Sequence, residues 1–275
     1  MFASNPFAEI SGSVPPAVMQ AYVVAMIVLV AAGTLFDVIH KGSARYFFEN
    51  WRKTQRKGLK PVETGELVSI AVKTGVVDVL TSGEFCNPRR RLAHLLTMYG
   101  FVTYVATTAI MIFAYPSAAT PAPAILPQLW WLGGLMVCAG GYWFWFFIRV
   151  DVAAEGQSPL RVMHADLFIL SLLASVTLGL AWAGSGGGAG VLFGLYILAT
   201  TVLFGSVPWS KFAHMFFKPA AAFEKRVSEA NGSAENLPTQ TRDDPEQRER
   251  HSMELLKNAP MNMGLGIKRE APRHY

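Results

Sequence analysis

The chain has 275 residues, 52% of them hydrophobic and only 16% charged, with 24 Lys and Arg against 19 Asp and Glu. The charges fall almost entirely outside a few long apolar runs, which excludes a disordered or highly charged solution protein and reads as an integral membrane protein. The net charge of +5 is accounted for by membrane topology and the cytoplasmic leaflet, so it calls for no nucleic acid.

In chain order, residues 1–16 contain no Lys or Arg. The first apolar run that follows lacks a basic leader and is longer than a signal-peptide core, so it is expected to stay as a membrane anchor. Five segments approach the roughly 20 residues that a helix rising about 1.5 Å per residue needs to cross about 30 Å of hydrocarbon. They are Ala17–Val38, Ala93–Ala114, Leu129–Ile148, Met163–Ala183 and Ala189–Val207. The last is expected to continue, kinked at Pro208, towards His214. The fold class is therefore all-α, an integral membrane bundle of five transmembrane helices over residues 17–217, with a cytoplasmic loop at 41–91.

Orientation follows from the basic residues. Lys41–Arg91 holds 11 of them and Lys218–Arg273 holds 10, whereas the N-terminal stretch, the loop Tyr115–Gln128 and the turn Gly184–Gly188 hold none. The positive-inside rule then puts the N-terminus outside and the C-terminus in the cytoplasm of a bacterial inner membrane. Within the long loop, Gly65–Leu80 is too short and too interrupted by Lys73 and Asp78 to span, and is read as lying on the membrane surface or under a partner. Residues 218–275 are polar with little periodicity and are expected to be a largely disordered tail, or an arm that orders on a partner.

Four of the six histidines stand at the edges of these segments: His40, His94, His164 and His214. All four edges face the cytoplasmic side. An imidazole in or beside a bilayer is costly without a partner, and a haem iron held between two imidazoles is a common reason to keep one there. His40 and His164 have two readings: interfacial polar residues, or contacts to a haem propionate or quinone carbonyl. Asp166, two residues beyond His164, suits a local hydrogen-bonded pair or proton relay. Trp130, Trp131, Tyr142, Trp143 and Trp145 read as interfacial anchors and packing residues. Cys86 and Cys138 are too few for an iron–sulfur cluster or a zinc site.

The stretches Arg89-Arg-Arg-Leu-Ala-His-Leu-Leu-Thr-Met-Tyr-Gly-Phe and Val207-Pro-Trp-Ser-Lys-Phe-Ala-His-Met-Phe-Phe-Lys-Pro resemble the haem b (gamma) subunit family of respiratory nitrate reductase. Within that superfamily the chain looks most similar to the membrane anchor of adenylylsulfate reductase in sulfur-oxidising bacteria. The resemblance covers roughly Ala17–Pro219 and is most specific around His214. It implies one b-type haem, with His94 and His214 as ligands to its iron. Tyr104 and Tyr196 stand where the ligands of a second, outer haem are expected. They therefore mark a vacated site, and the two phenols fill space, hydrogen-bond helix neighbours or touch a quinone. A stretch of 18 residues, five helical turns, would put Tyr196 on the face of His214.

The resemblance implies a membrane anchor, without catalysis of its own, that passes electrons between cytoplasmic iron–sulfur or flavin oxidoreductase subunits and membrane quinone, within sulfur metabolism. The alternative is a haem-free structural anchor that recruits a soluble enzyme.

Overall fold

A computed structural model describes residues 2–40, 42–83, 85, 87–149, 162–163, 166–210, 214–235 and 237. Among them, regular structure is helical throughout: α1 (Pro6–Glu9), α2 (Pro16–His40), α3 (Ser43–Lys57), α4 (Thr64–Lys73), α5 (Pro88–Ala114), α6 (Ile125–Trp143), α7 (Leu167–Gly184), α8 (Val191–Gly205) and α9 (His214–Ala230). π-helical stretches extend α4 to Leu80 and α6 to Ile148.

Four helices are long and apolar enough to cross a membrane: α2, α5, α6 with its extension, and α7. The fifth expected span differs. α8 has 15 residues, about 22 Å at 1.5 Å per residue and so shorter than the hydrocarbon layer. It also ends at Gly205 instead of running through Pro208: Val207–Trp209 form one 3-10 turn, Ser210 is extended, and a separate helix begins at His214. Proline lacks the N–H that would continue the ladder and its ring crowds the preceding turn, so here it ends the helix where a kink was expected.

The chain divides into two units, residues 1–35 with 92–212, and 36–91 with 213–275. The first is built on small residues, as expected where lipid removes the hydrophobic drive between helices and close packing must replace it. α6 carries two Gly-Gly pairs seven residues apart, and each pair serves two neighbours. A Cβ on Gly133 or Gly140 would stand 2.8 or 2.6 Å from the carbonyl oxygens of Gly100 and Ala93 on α5. One on Gly134 or Gly141 would meet Leu180 or Leu173 of α7 at 2.8 or 2.7 Å.

Hydroxyls tie the other pairs of helices. Tyr22 on α2 bonds the Ile197 carbonyl (3.1 Å) and Thr201 (3.0 Å) of α8, and Gln20 donates to the Ile112 carbonyl of α5. The outward faces are apolar and exposed, Ile27, Val28 and Leu35 on α2 among them. The N-terminal stretch is ordered: Asn5 caps α1 and donates to the Tyr115 carbonyl (2.9 Å), and Phe7 is buried against Trp130 and Trp182.

In the second unit, α9 packs on α3, α4 and the π-helical stretch Thr74–Leu80. The reading of a polar tail from residue 218 meets a helix running through that boundary. Phe223 and Val227, one turn apart, face inward, Val227 fully buried and Phe223 stacked on Trp51 of α3 at 5.8 Å. Two isolated apolar residues in a polar stretch suffice for one buried stripe, too weak to stand out by composition. Residues beyond 237 lie outside the described ones.

Candidate functional site

A buried polar cluster of the first unit lies where α5, α7 and α8 meet. Tyr104 on α5 and Tyr196 on α8 are both buried, and the Tyr104 hydroxyl donates to that of Tyr196 across 3.5 Å. Each ring is backed by an indole: Trp130 stacks on Tyr104 at 4.9 Å and Trp182 on Tyr196 at 5.7 Å. Gly179 on α7 makes room for both, since a Cβ there would lie 2.3 Å from the Tyr104 hydroxyl and 2.9 Å from Tyr196 Cε2. One turn further along α8, Thr200 meets Ser175 of α7 at 2.7 Å, and Trp130 Nε1 donates to Thr108. The phenols and indoles fill the space between these helices. They form an uncharged hydrogen-bonded column, each polar group meeting a partner as a low-dielectric interior requires.

At one end of this unit stands a buried ion pair. The Arg149 guanidinium donates through Nε to Asp166 Oδ1 at 3.1 Å and through a second nitrogen to Oδ2, and lies 4.0 Å over the Trp145 ring. Asp166 Oδ2 also accepts from the Met163 N–H at 2.8 Å. The partner of Asp166 is thus Arg149, which sequence reasoning did not single out; its place at the end of a span was the available signal. His164 lies outside the described residues.

The remaining edge histidines fall on different elements. His40 is exposed and stacks on Phe36 at 5.0 Å. His94 is an exposed residue near the start of α5, in the first unit. His214 opens α9, in the second. Because α8 ends at Gly205, the five-turn register placed between Tyr196 and His214 does not exist. Among the described residues, no three His, Cys, Asp or Glu side chains converge as a metal site would need.

The second unit holds most of the chain's Lys and Arg. Asp78 is gripped by Arg226 through two hydrogen bonds of 2.8 and 2.9 Å. Asn231 ties the end of α9 to the Thr54 carbonyl of α3, and Lys57 pairs with Glu235 at 2.7 Å. Thr54 donates to Glu224 at 3.0 Å. Burial, helped by nearby Glu235, raises the Glu224 carboxyl above the ordinary carboxylate range despite that bond. Opposite the face that packs on α9, α3 exposes Arg45, Arg52, Lys53, Arg56 and Lys57.

The family model that matches the chain is that of citrate utilization protein B, over residues 1–235. Among curated proteins, citrate utilization protein B of Escherichia coli is 28% identical over 200 residues, covering 67% of this chain and 52% of that protein. The chain thus spans about half the length of the relative it matches. No solved structure is significantly similar to it. These matches overturn the resemblance to nitrate reductase gamma subunits and the adenylylsulfate reductase anchor. With it goes the reading of an electron-transfer anchor joining a cytoplasmic oxidoreductase to quinone through a haem on His94 and His214, and the placement in sulfur metabolism. Basic and aromatic residues flanking a histidine at a helix edge are common to many membrane proteins, and they misdirected the assignment. The chain belongs to the citrate utilization protein B family.

Proposed function

We propose that this chain is a membrane-embedded component of the utilisation of citrate or a closely related tricarboxylate. It crosses the bacterial inner membrane five times, the short α8 completing the bundle together with the 3-10 turn Val207–Trp209 that follows it, with its N-terminus outside. On the cytoplasmic side its second unit receives a soluble partner that presents an acidic surface. The family membership supports the metabolic role.

The charge distribution supports the division of labour. The runs α2, α6, α7 and α8 contain no Lys or Arg, and α5 has only Arg89–Arg91 at its start. A compound with three carboxylates finds no cationic partner inside these spans, and burying such charges without one is costly. Lys41–Arg91, by contrast, carries 11 basic against 5 acidic residues. That excess steers and holds an acidic surface through interactions that salt weakens.

Growth of a deletion strain on citrate and related tricarboxylates as sole carbon source tests the role. Loss of growth restored by the full chain is expected, and undiminished growth on every tricarboxylate tried overturns it. Reversal of Arg52, Lys53, Arg56 and Lys57 to Glu should abolish complementation with the chain still in the membrane. Full complementation by that variant refutes the basic docking surface.

A further inference from the structure

We propose that the outer ridge of α4 and its π-helical extension is seated in the surface of an anionic phospholipid bilayer. Val68, Val72, Val76 and Leu80 recur every four residues, and their exposures of 59%, 61%, 48% and 50% leave four large apolar side chains in a row about half open. Positions four apart advance by about 40° around an ordinary α-helix. An unbroken α-helix would therefore turn Val76 and Leu80 progressively off the line set by Val68 and Val72. The change at Thr74 to wider turns closed by i→i+5 bonds advances each residue less and holds all four in line. The opposite face is spent inward, with Thr74 buried and Asp78 held by Arg226. The π-helical stretch thus serves both faces at once.

Three observations select lipid as the occupant. The segment is tethered on both sides to helices able to cross a membrane, α2 ending at His40 and α5 beginning at Pro88. Pro88 follows Leu80 by only eight positions, so the end of the ridge stays within about 29 Å of that helix. The arc centred on the ridge is otherwise occupied by small or apolar residues, Gly65, Ser69, Ala71, Gly75 and Val77, and is bordered by Lys73, with no acidic side chain on it. A helix of this kind lies with its apolar side at the acyl boundary and its lysine reaching the phosphates. The inference rests on the chain spanning a bilayer and is independent of its role with citrate.

The test uses the full chain, with Cys86 and Cys138 replaced by Ser, reconstituted into vesicles of phosphatidylethanolamine and phosphatidylglycerol. Nitroxide labels are placed singly at Val68→Cys, Val72→Cys, Val76→Cys and Leu80→Cys, with Glu66→Cys as the control. Power saturation should show the four ridge labels accessible to oxygen and shielded from a water-soluble nickel chelate, with the reverse at position 66. Ridge labels open to the chelate place the ridge in water, and labels closed to both reagents place it under protein, a second copy of the chain. Either result overturns the proposal. A label-free check guards against disturbance of the helix by the cysteines: trypsin should spare the bond after Lys73 in vesicles and cut it in the Val72→Asp, Val76→Asp variant. Equal cleavage of both also overturns it.

Discussion

Gly179→Ala puts the packing of the tyrosine column to a test of sign. Alanine is about 1 kcal/mol better than glycine inside a helix, so a methyl group accommodated freely would stabilise the protein. Here that methyl would lie 2.3 Å from the Tyr104 hydroxyl, more than 1 Å inside an ordinary contact of about 3.5 Å. It would also lie 2.9 Å from Tyr196 Cε2, and both rings are pinned from behind by Trp130 and Trp182. Overpacking of this kind costs about 1–3 kcal/mol, enough to outweigh the propensity gain. The expected net effect is a loss of up to about 2 kcal/mol in equilibrium unfolding by SDS in bicelles.

Tyr104→Phe removes the closest atom at the cost of one long hydrogen bond, worth about 1 kcal/mol or less. In the double variant the nearest contact relaxes from 2.3 to 2.9 Å. The two substitutions should therefore couple favourably, by about 1 kcal/mol in a double-mutant cycle. A stabilised Gly179→Ala protein, or strictly additive effects, would refute the argument that the two phenols close this space.

Two further outcomes are expected. Arg149→Met should leave Asp166 as a buried, uncompensated charge and cost about 3–5 kcal/mol in the same unfolding assay, with Arg149→Met, Asp166→Leu recovering most of it; equal losses in single and double variants would show that the ion pair does not govern this end of the unit. For Glu224, whose carboxyl burial raises, the folded protein binds the proton more tightly than the unfolded chain. Its contribution is thus fully present below the ordinary carboxylate value and is lost as pH rises through the raised one. Glu224→Gln keeps an acceptor for Thr54, and should flatten the pH dependence of α9 protection in hydrogen exchange across that window without loosening α9 at neutral pH; an unchanged pH profile would count against it.

The spans were legible because about 20 apolar residues in a row have few other physical readings. The boundary of the last was not. Whether a proline kinks or ends a helix depends on what re-satisfies the freed carbonyls, and that is a property of neighbours the sequence does not place side by side. The same holds for Asp166. Its nearest ionisable neighbour in sequence is His164, but its partner Arg149 lies on the far side of a connection. Tyr104 and Tyr196 stood out as exceptions to a ligand pattern, which is how an erroneous resemblance still pointed at two buried residues. Gly179, which makes their pairing possible, is one of 24 glycines and carries no signal of its own. The histidines drew attention because they are rare and stand at helix edges, yet two of them, His40 and His94, are exposed. An edge position lets an imidazole reach water, and that alone removes the need for a buried partner.

The two units hold their polar and charged groups differently. Within the first, several hydroxyls and indoles meet in neutral pairs across helix boundaries, such as Ser175–Thr200 and Trp130–Thr108. Such pairs hold helices together in lipid at modest gain and attract no ion. The one buried guanidinium described there, that of Arg149, is committed to Asp166. The second unit instead keeps five cations exposed on α3, while Arg226 is spent on fixing Asp78 beneath the valine ridge. The α3 cations therefore stand where water and soluble molecules reach them, Arg45 paired with Glu49 and Lys57 with Glu235.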